Sequence, residues 1–307
     1  NSVIMSEDKA LSASGRLRVM RATPGMGESN CVWAEFDMGV NVRKISPREN
    51  LHSTIPSMRS PPPLPCLGID DPFPDVAQAW PASSPAPGLL AAGADLSLPR
   101  LLSAYQRGIF PWFNPGQAIL WFSTNPRMVL RPSQFQMHHA LRKTWRRLHR
   151  ERRIEFEFDR HFQQVMQHCA QVPRARQTGT WIGPDMIEAY TRLHQAGHAL
   201  CITTHIDGQL AGGLYAVILG RMVFGESMFT LQPNGSKLAL AALVAWARHH
   251  DLPLIDCQQD TAHLRSFGAV TLSRGEFLAE MTPLLALPSP ARSFSPILWS
   301  TTHFDAP

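Results

Sequence analysis

The spacing of apolar and polar residues predicts alternating helices and strands from about residue 135 onward. Apolar positions three or four residues apart indicate helices, whereas a two-residue period indicates strands. The predicted helices cover 138–151, 162–172, 184–196, 236–250 and 274–285, and the predicted strands cover 154–158, 199–206, 210–219, 222–229 and 254–257. Asp207-Gly208 separates two of these strands and is a hairpin signal. This order of elements predicts an α+β fold.

The preceding residues, 58–132, predict a small N-terminal domain, and 133–287 predict a larger one. Residues 61–87 are rich in proline and predict an irregular, extended segment. A helix is predicted over 98–107, with Ser97 as its N-cap and Pro99 in its first turn. The aromatic run 110–121 is interrupted by proline and glycine, so we predict a loop and a short strand there, and another strand over 126–130.

The two ends of the chain have less pattern than the middle. Residues 1–57 show little periodicity, which predicts disorder or an upstream extension, with Met58 as a candidate initiator. No apolar stretch of signal-peptide type follows the early charges. Residues 288–307 predict a loose C-terminal tail.

Composition narrows the class of protein. The chain has 307 residues, 44% of them hydrophobic and 17% charged, which is enough for a sizeable core. The net charge of +5 and the isoelectric point of about 9.2 are compatible with nucleic-acid binding. Five cysteines without a Cys-x-x-Cys pair indicate a reduced, cytoplasmic protein. The longest apolar run, 238–247, is too short to cross a membrane.

Polar residues interrupt two predicted strands. In 254–258, Leu-Ile-Asp-Cys-Gln, alternation places Asp256 and Gln258 on one face and Cys257 on the other, so Cys257 is expected in the core. In 224–229, Phe-Gly-Glu-Ser-Met-Phe, Glu226 and Met228 share a face. Buried polar groups are unfavourable without partners, so they indicate a binding or catalytic site. Alternatively, they bond to neighbouring backbone or cap the next helix.

A run of cations lies on the predicted helix 138–151. Helical spacing places them on adjacent stripes, which forms a ridge suited to phosphates. The alternative is a solvated helix face. The predicted phosphate contacts are Arg142, Lys143, Arg146, Arg147 and Arg150.

Several distinctive runs follow one another along the chain. They are 105–113 (Tyr-Gln-Arg-Gly-Ile-Phe-Pro-Trp-Phe), Trp121, 179–182 (Gly-Thr-Trp-Ile), 212–215 (Gly-Gly-Leu-Tyr), 224–229, Ser236-Lys237, 254–258 and 263–269 (His-Leu-Arg-Ser-Phe-Gly-Ala). In this order they resemble one enzyme family, the leucyl/phenylalanyl-tRNA–protein transferases, and the similarity spreads from about residue 64 to 285. Ala216, Phe122 and Phe267 depart from the family pattern and leave the assigned polar groups unchanged.

The resemblance implies a fold and a reaction. The fold is an N-acetyltransferase-like (GNAT superfamily) domain with a mixed, mostly antiparallel sheet flanked by helices. The reaction moves Leu or Phe, and Met less well, from aminoacyl-tRNA to the α-amino group of proteins with N-terminal Arg or Lys. The product is marked for N-end rule degradation. Because the tRNA ester is already activated, no metal, ATP or coenzyme A is expected, and a monomer acting on Leu-tRNA and Phe-tRNA is the default.

The resemblance and the chemistry together assign roles to residues. Gln258 would accept a hydrogen bond from the attacking amine, Asp256 would orient Gln258 and stabilise positive charge, and Glu226 would attract a basic N-terminal residue. The aminoacyl side-chain pocket is assigned to Leu214, Met228, Leu240, Leu243 and Ile255. Stacking of the tRNA 3′ end is assigned to Tyr105, Trp112 and Trp181, with core packing as the alternative.

Two rival functions are open at this point. One is an acetyltransferase that uses acetyl-coenzyme A, which the loop 230–237 disfavours because Pro233 removes a backbone donor and the expected glycine spacing is missing. The other is a tRNA-binding protein without catalysis. Asp256, Gln258 and Glu226 disfavour it, because a protein that only binds has no need for them.

Overall fold

A computed structural model describes residues 63–171 and 181–292, together with the backbone of two strands nearer the N-terminus. The helices are α1 (Leu98–Tyr105), α2 (His139–Arg150), α3 (Phe162–Gln171), α4 (Pro184–Gln195), α5 (Gly235–His249), α6 (Ala262–Arg265) and α7 (Arg274–Leu285). The strands are β1 (Arg16–Ala22), β2 (Cys31–Asp37), β3 (Cys66–Leu67), β4 (Leu89–Gly93), β5 (Phe110–Pro111), β6 (Leu120–Phe122), β7 (Arg127–Leu130), β8 (Ile154–Phe158), β9 (Ala199–Ile206), β10 (Gln209–Leu219), β11 (Met222–Thr230), β12 (Leu254–Gln258) and β13 (Val270–Leu272).

A seven-stranded mixed sheet dominates the larger domain. Its order is β13-β7-β12-β11-β10-β9-β8, and only the pair β11–β12 is parallel. The antiparallel pair β9–β10 turns at Asp207 and Gly208, which both have positive φ, as the hairpin signal predicted. Helices cover both faces, so the predicted α+β class and the mostly antiparallel sheet are confirmed.

The sheet separates two hydrophobic clusters. Along β10, Tyr215 and Val217 belong to one cluster, while Leu214 and Ala216 belong to the other, as a two-residue period requires. The second cluster includes α5, which is buried over most of its surface. Because α5 packs so closely on β10, a Cβ on Gly235 would lie 2.0 Å from the carbonyl oxygen of Ala211.

The parallel pair opens at one end. Pairing of β11 with β12 is confined to 222–224 against 254–256, although β11 continues to Thr230. The polar residues that interrupt the two strands, Glu226 and Gln258, lie beyond this paired part. The strands therefore leave room between them for a site at this end of the sheet.

A smaller four-stranded sheet, of order β3-β4-β6-β5, packs with α1 into the N-terminal domain. The prediction that Arg127–Leu130 belongs to this domain is wrong. This strand, β7, lies between β12 and β13 in the large sheet. Its four residues are all buried, which is typical of an interior strand, so the small domain ends before Arg127, not at 132.

The predictions for the two ends of the chain agree with the structure only in part. Within 1–57 the backbone of β1 and β2 forms an antiparallel pair, which differs from the predicted disorder. The sequence of β1, Arg-Leu-Arg-Val-Met-Arg-Ala, alternates well enough for a strand. In the predicted loose tail, the Arg292 guanidinium donates to the Ala199 carbonyl oxygen at 2.8 Å, so its first residues are tied to the domain. Met58, Gly179 and residues 293–307 lie outside the described residues.

Candidate active site

Gln258 occupies a bulge at the end of β12. The strand register shifts there. Asp256 pairs with Val129, and Gln258, two residues further on, pairs with Met128, which is only one residue away from Val129. Gln258 has φ of 52°, and its backbone N–H donates to Asp256 Oδ1 at 2.9 Å. The Thr124 hydroxyl donates to the Gln258 carbonyl oxygen at 2.9 Å. These bonds hold a backbone conformation that residues other than glycine rarely adopt.

The bulge corrects the predicted alternation of β12. Asp256 is fully buried behind the site, whereas Cys257 and Gln258 line one cavity together. The extra residue of the bulge breaks the two-residue period on which the prediction rested. Burial, and to a smaller extent the neighbouring Asp256 carboxylate, raises the pKa of the Cys257 thiol. This cysteine is therefore a poor nucleophile at neutral pH.

Asp256 is paired with a buried arginine. Arg127 Nε lies 2.8 Å from Asp256 Oδ1, and Arg127 Nη2 lies 2.6 Å from Oδ2. The side chains are 1% and 0% exposed. Both carboxylate oxygens are therefore occupied by a bidentate guanidinium, which is a strong and directional contact.

Glu226 lies at the centre of a polar network. Tyr105 donates its hydroxyl hydrogen to Glu226 Oε1 at 2.8 Å, and the Tyr105 hydroxyl also bonds to the hydroxyl of Tyr190. Gln258 Nε2 donates to the same Oε1 at 3.3 Å. Burial raises the pKa of Glu226 to about 8, against the opposing effect of the Tyr105 hydrogen bond. The structure thus brings Glu226 and Gln258 together across the opening between β11 and β12.

These polar groups border a cavity of about 170 Å³. Its aromatic and proline side chains come from the loop around β5 and from the start of the segment before α4. Its polar lining comes from the middle of β11 and the end of β12. The lining residues are Phe110, Pro111, Trp112, Trp181, Glu226, Cys257, Gln258 and Gln259. A lining that combines aromatic side chains with a carboxylate and an amide suits a ligand with a planar group and an amino group.

Comparison with known proteins identifies the family. The profile of the leucyl/phenylalanyl-tRNA protein transferases matches residues 129–282, and the profile of their N-terminal domain matches 94–125. A leucyl/phenylalanyl-tRNA–protein transferase of Polaromonas sp. (strain JS666 / ATCC BAA-500) is 49% identical over 239 residues, which are 78% of this chain and 94% of that protein. The chain belongs to this family.

A second relative agrees with this assignment. The transferase of Burkholderia pseudomallei (strain 1106a) is 52% identical over 225 residues, which are 73% of this chain and 88% of that protein. Among solved structures, the chain is similar to an aminoglycoside N-acetyltransferase in complex with coenzyme A. That similarity has 15% identity and a TM-score of 0.27, and it covers 46% of this chain and 92% of the other.

The three residues assigned to stacking in this transferase differ in position. Trp112 and Trp181 are half-buried and line the cavity, so the structure places both where a base could stack. Tyr105 is fully buried, and its ring packs 5.0 Å from that of Phe224. The assignment of Tyr105 as a stacking surface is therefore wrong, because its hydroxyl is needed to satisfy Glu226 and its ring is inside the core.

The five residues assigned to the aminoacyl side-chain pocket lie together in the second hydrophobic cluster, which includes α5. Four are at most 4% exposed, and Met228 is partly buried. None of the five lines the 170 Å³ cavity. The structure thus brings them together as packed core, and their role as a pocket stays a prediction. The five are Leu214, Met228, Leu240, Leu243 and Ile255.

The basic ridge lies on α2, as the helical spacing of its cations predicted. Leu141, Trp145 and Leu148 are buried, and the helix turns its opposite face to solvent. Arg142 is half-buried and contributes least to that face. The exposed cations are Lys143, Arg146, Arg147 and Arg150.

Sequence reasoning gave no site role to several residues of this transferase site, among them Thr124, Arg127, Tyr190 and Gln259. Arg127 carries the clearest signal, since a cation at the start of a buried strand needs a partner and Asp256 is a buried carboxylate. Tyr190 gives no such signal, because an aromatic residue on an amphipathic helix usually means core.

The described residues offer neither a metal-binding cluster nor a membrane-spanning helix. Within 63–171 and 181–292, no cluster of three or more His, Cys, Asp or Glu side chains is arranged to hold a metal ion. Over the same residues, no helix has the length and apolar character needed to cross a membrane.

Proposed function

We propose that this cavity joins Leu or Phe, carried as an ester on the tRNA 3′ end, to the α-amino group of an acceptor protein. Family membership supports the reaction class. The observation that carries the assignment to this cavity is the pairing of Gln258 with Glu226 at 3.3 Å in a cavity that Trp112 and Trp181 also line. The aromatic side receives the tRNA end, and the polar side receives the amine.

Gln258 orients the nucleophile. Its Nε2 is directed to Glu226, which leaves Oε1 to accept a hydrogen bond from the acceptor amine. The amine nitrogen attacks the ester carbon, the bond from that carbon to the ribose oxygen breaks, and the proton lost by nitrogen ends on the ribose hydroxyl. An α-amino group has a pKa of about 7.7–8.0, so a sizeable neutral fraction exists near pH 7. Orientation can therefore carry much of the catalysis without a strong base.

Glu226 selects the acceptor. A carboxylate at the cavity favours an N-terminal Arg or Lys through charge-assisted hydrogen bonds. Its raised pKa means that the arriving cation stabilises the ionised form, so acceptor binding and ionisation of Glu226 are coupled.

The donor side chain is recognised by apolar contacts alone. An apolar site separates side chains that differ by one methylene by only about 1–3 kcal/mol, so Met is a poorer but usable donor. The ester needs no ATP, coenzyme A or metal for activation. The protein works as a monomer in the cytoplasm, where charged tRNA is available, and its products enter N-end rule degradation.

The α2 face holds the tRNA backbone. Its exposed cations neutralise phosphates and release counterions, so binding weakens steeply as salt rises. The contacts are sequence-independent, which fits a partner chosen mainly by its attached amino acid.

The test is transfer of radiolabelled Leu from charged tRNA to two peptides that differ only in an N-terminal Arg or Ala. We expect label on the Arg peptide and a strong loss of label with Gln258→Ala. Salt-sensitive tRNA binding without transfer would contradict the proposal and indicate a binding protein. Transfer of label from acetyl-coenzyme A would indicate an acetyltransferase.

A further inference from the structure

Arg127 is a buried cation with every side of its guanidinium in contact. Besides the two bonds to Asp256, Nη1 donates to the Gly108 carbonyl oxygen at 3.1 Å. Its Cζ lies 4.8 Å from the ring centre of Phe110 and 4.7 Å from that of Phe277. The arginine is therefore held between two aromatic rings and joined to three separate parts of the chain.

The arginine is connected to the cavity by two routes. Phe110, which covers one face of the guanidinium, also lines the cavity. Asp256, which the guanidinium holds by both oxygens, accepts the backbone N–H of Gln258 at 2.9 Å. The bulge that carries Gln258 pairs with Met128, the residue next to Arg127.

The position of Asp256 limits what it can do. It is 0% exposed, and it is not among the residues that line the cavity. Its oxygens face Arg127 and the Gln258 backbone, so they are turned away from the space where an amine would bind. A rigid ion pair of this kind fixes the geometry of the groups attached to it.

We propose that Arg127 is a positioning residue for the transfer reaction, holding Asp256 and through it the bulge that directs Gln258 into the cavity, while Asp256 makes no contact with substrate. This rests on the proposed function of the cavity. It assigns a role to a residue on β7, a strand that contributes none of the residues lining the cavity.

The first test is a crystal structure of the unaltered protein with a stable amide analogue of a 3′-phenylalanyl adenosine. We expect both Asp256 oxygens to stay on Arg127, with Gln258 contacting the analogue. A hydrogen bond from the analogue's amino group to Asp256 would overturn the proposal. This measurement does not depend on any variant being able to fold.

The second test is a double-mutant cycle on Leu transfer. Arg127→Met should lower kcat by about 100-fold, the size expected when a reacting group is misplaced by about 1 Å, while KM for aminoacyl-tRNA stays nearly unchanged. Adding Asp256→Asn removes the unpaired buried charge and keeps an oxygen for the Gln258 N–H. The double variant should recover roughly 10-fold in kcat over Arg127→Met alone.

Arg131→Met is the matched control. Arg131 also forms a bidentate pair with a carboxylate, at 2.8 Å to each oxygen of Glu280, but it does not contact Asp256. The kcat of Arg131→Met should match that of the unaltered protein. A double variant no more active than Arg127→Met alone, or an equal loss in Arg131→Met, would overturn the positioning role. If the unaltered protein transferred no label, the proposed function would fail instead, so the two failures are distinguishable.

Discussion

The Tyr105 hydroxyl lies 2.8 Å from Glu226 Oε1, inside a helix-to-sheet contact that joins the N-terminal domain to β11. The two residues are separated by 121 positions in the chain. Under the proposed function, the contact makes α1 of the small domain part of the acceptor site, and it explains why Tyr105 is buried.

Replacing Tyr105 by Phe should weaken acceptor binding. The hydroxyl favours the ionised carboxylate, so its loss raises the pKa of Glu226 further and leaves less charge for a cationic N-terminus. A hydrogen bond to a charged group is worth about 1.5–3 kcal/mol, so KM for an Arg-peptide should rise by roughly 10-fold or more. Steady-state transfer kinetics at pH 7 measure this. Tyr190→Phe is the comparison variant, and a KM at the unaltered value in Tyr105→Phe would contradict the role.

Stability should fall with pH because of Glu226. Burial raises its pKa to about 8 in the folded protein from an ordinary value of 4.5, so the folded state binds the proton more tightly than the unfolded chain. The stabilisation from this group is complete below about pH 4.5 and is lost as pH rises toward 8. Between pH 5 and 8.5, the free energy of unfolding measured with urea should decline more steeply for the unaltered protein than for Glu226→Gln. Parallel curves would show that Glu226 does not titrate in this range.

The two tryptophans of the cavity should contribute to binding of the tRNA 3′ end. A stacked base is worth about 1–3 kcal/mol, so Trp112→Ala and Trp181→Ala should each raise KM for aminoacyl-tRNA by roughly 5- to 150-fold. Trp112→Phe keeps a flat ring and should retain most of the affinity. Phe113→Leu, at a buried neighbouring position, is the control for disturbed packing. An equal rise in KM for Phe113→Leu would indicate a general packing defect.

The exposed face of α2 should set the salt dependence of tRNA binding. Lys143, Arg147 and Arg150 lie on one side of the helix, and each phosphate contact contributes about 0.7–0.9 to the slope of log affinity against log salt. Replacing all three by Gln should reduce that slope by about 2–3. Filter binding from low to moderate salt measures it. Arg192→Gln on α4, where Arg192 pairs with Glu188, should leave the slope unchanged.

Local pattern alone determined several parts of this protein. The two-residue period predicted a strand over 210–219, where β10 lies, and the helical spacing of the cations predicted a basic ridge on α2. The polar residues that interrupt β11 and β12 marked the site, because buried carboxylates and amides need partners. These features depend on periods of two and 3.6 residues, which any short window of sequence contains.

Tertiary structure decided the rest. The insertion of β7 between β12 and β13 supplies the pairing that creates the bulge at Gln258, and it brings Arg127 to Asp256 across 129 positions. No local period encodes a bulge or a pairing between distant strands, because each depends on which backbone hydrogen bonds the assembled sheet leaves available. For the same reason, the sequence placed Tyr105 at a surface, whereas packing against β11 buried it beside Glu226.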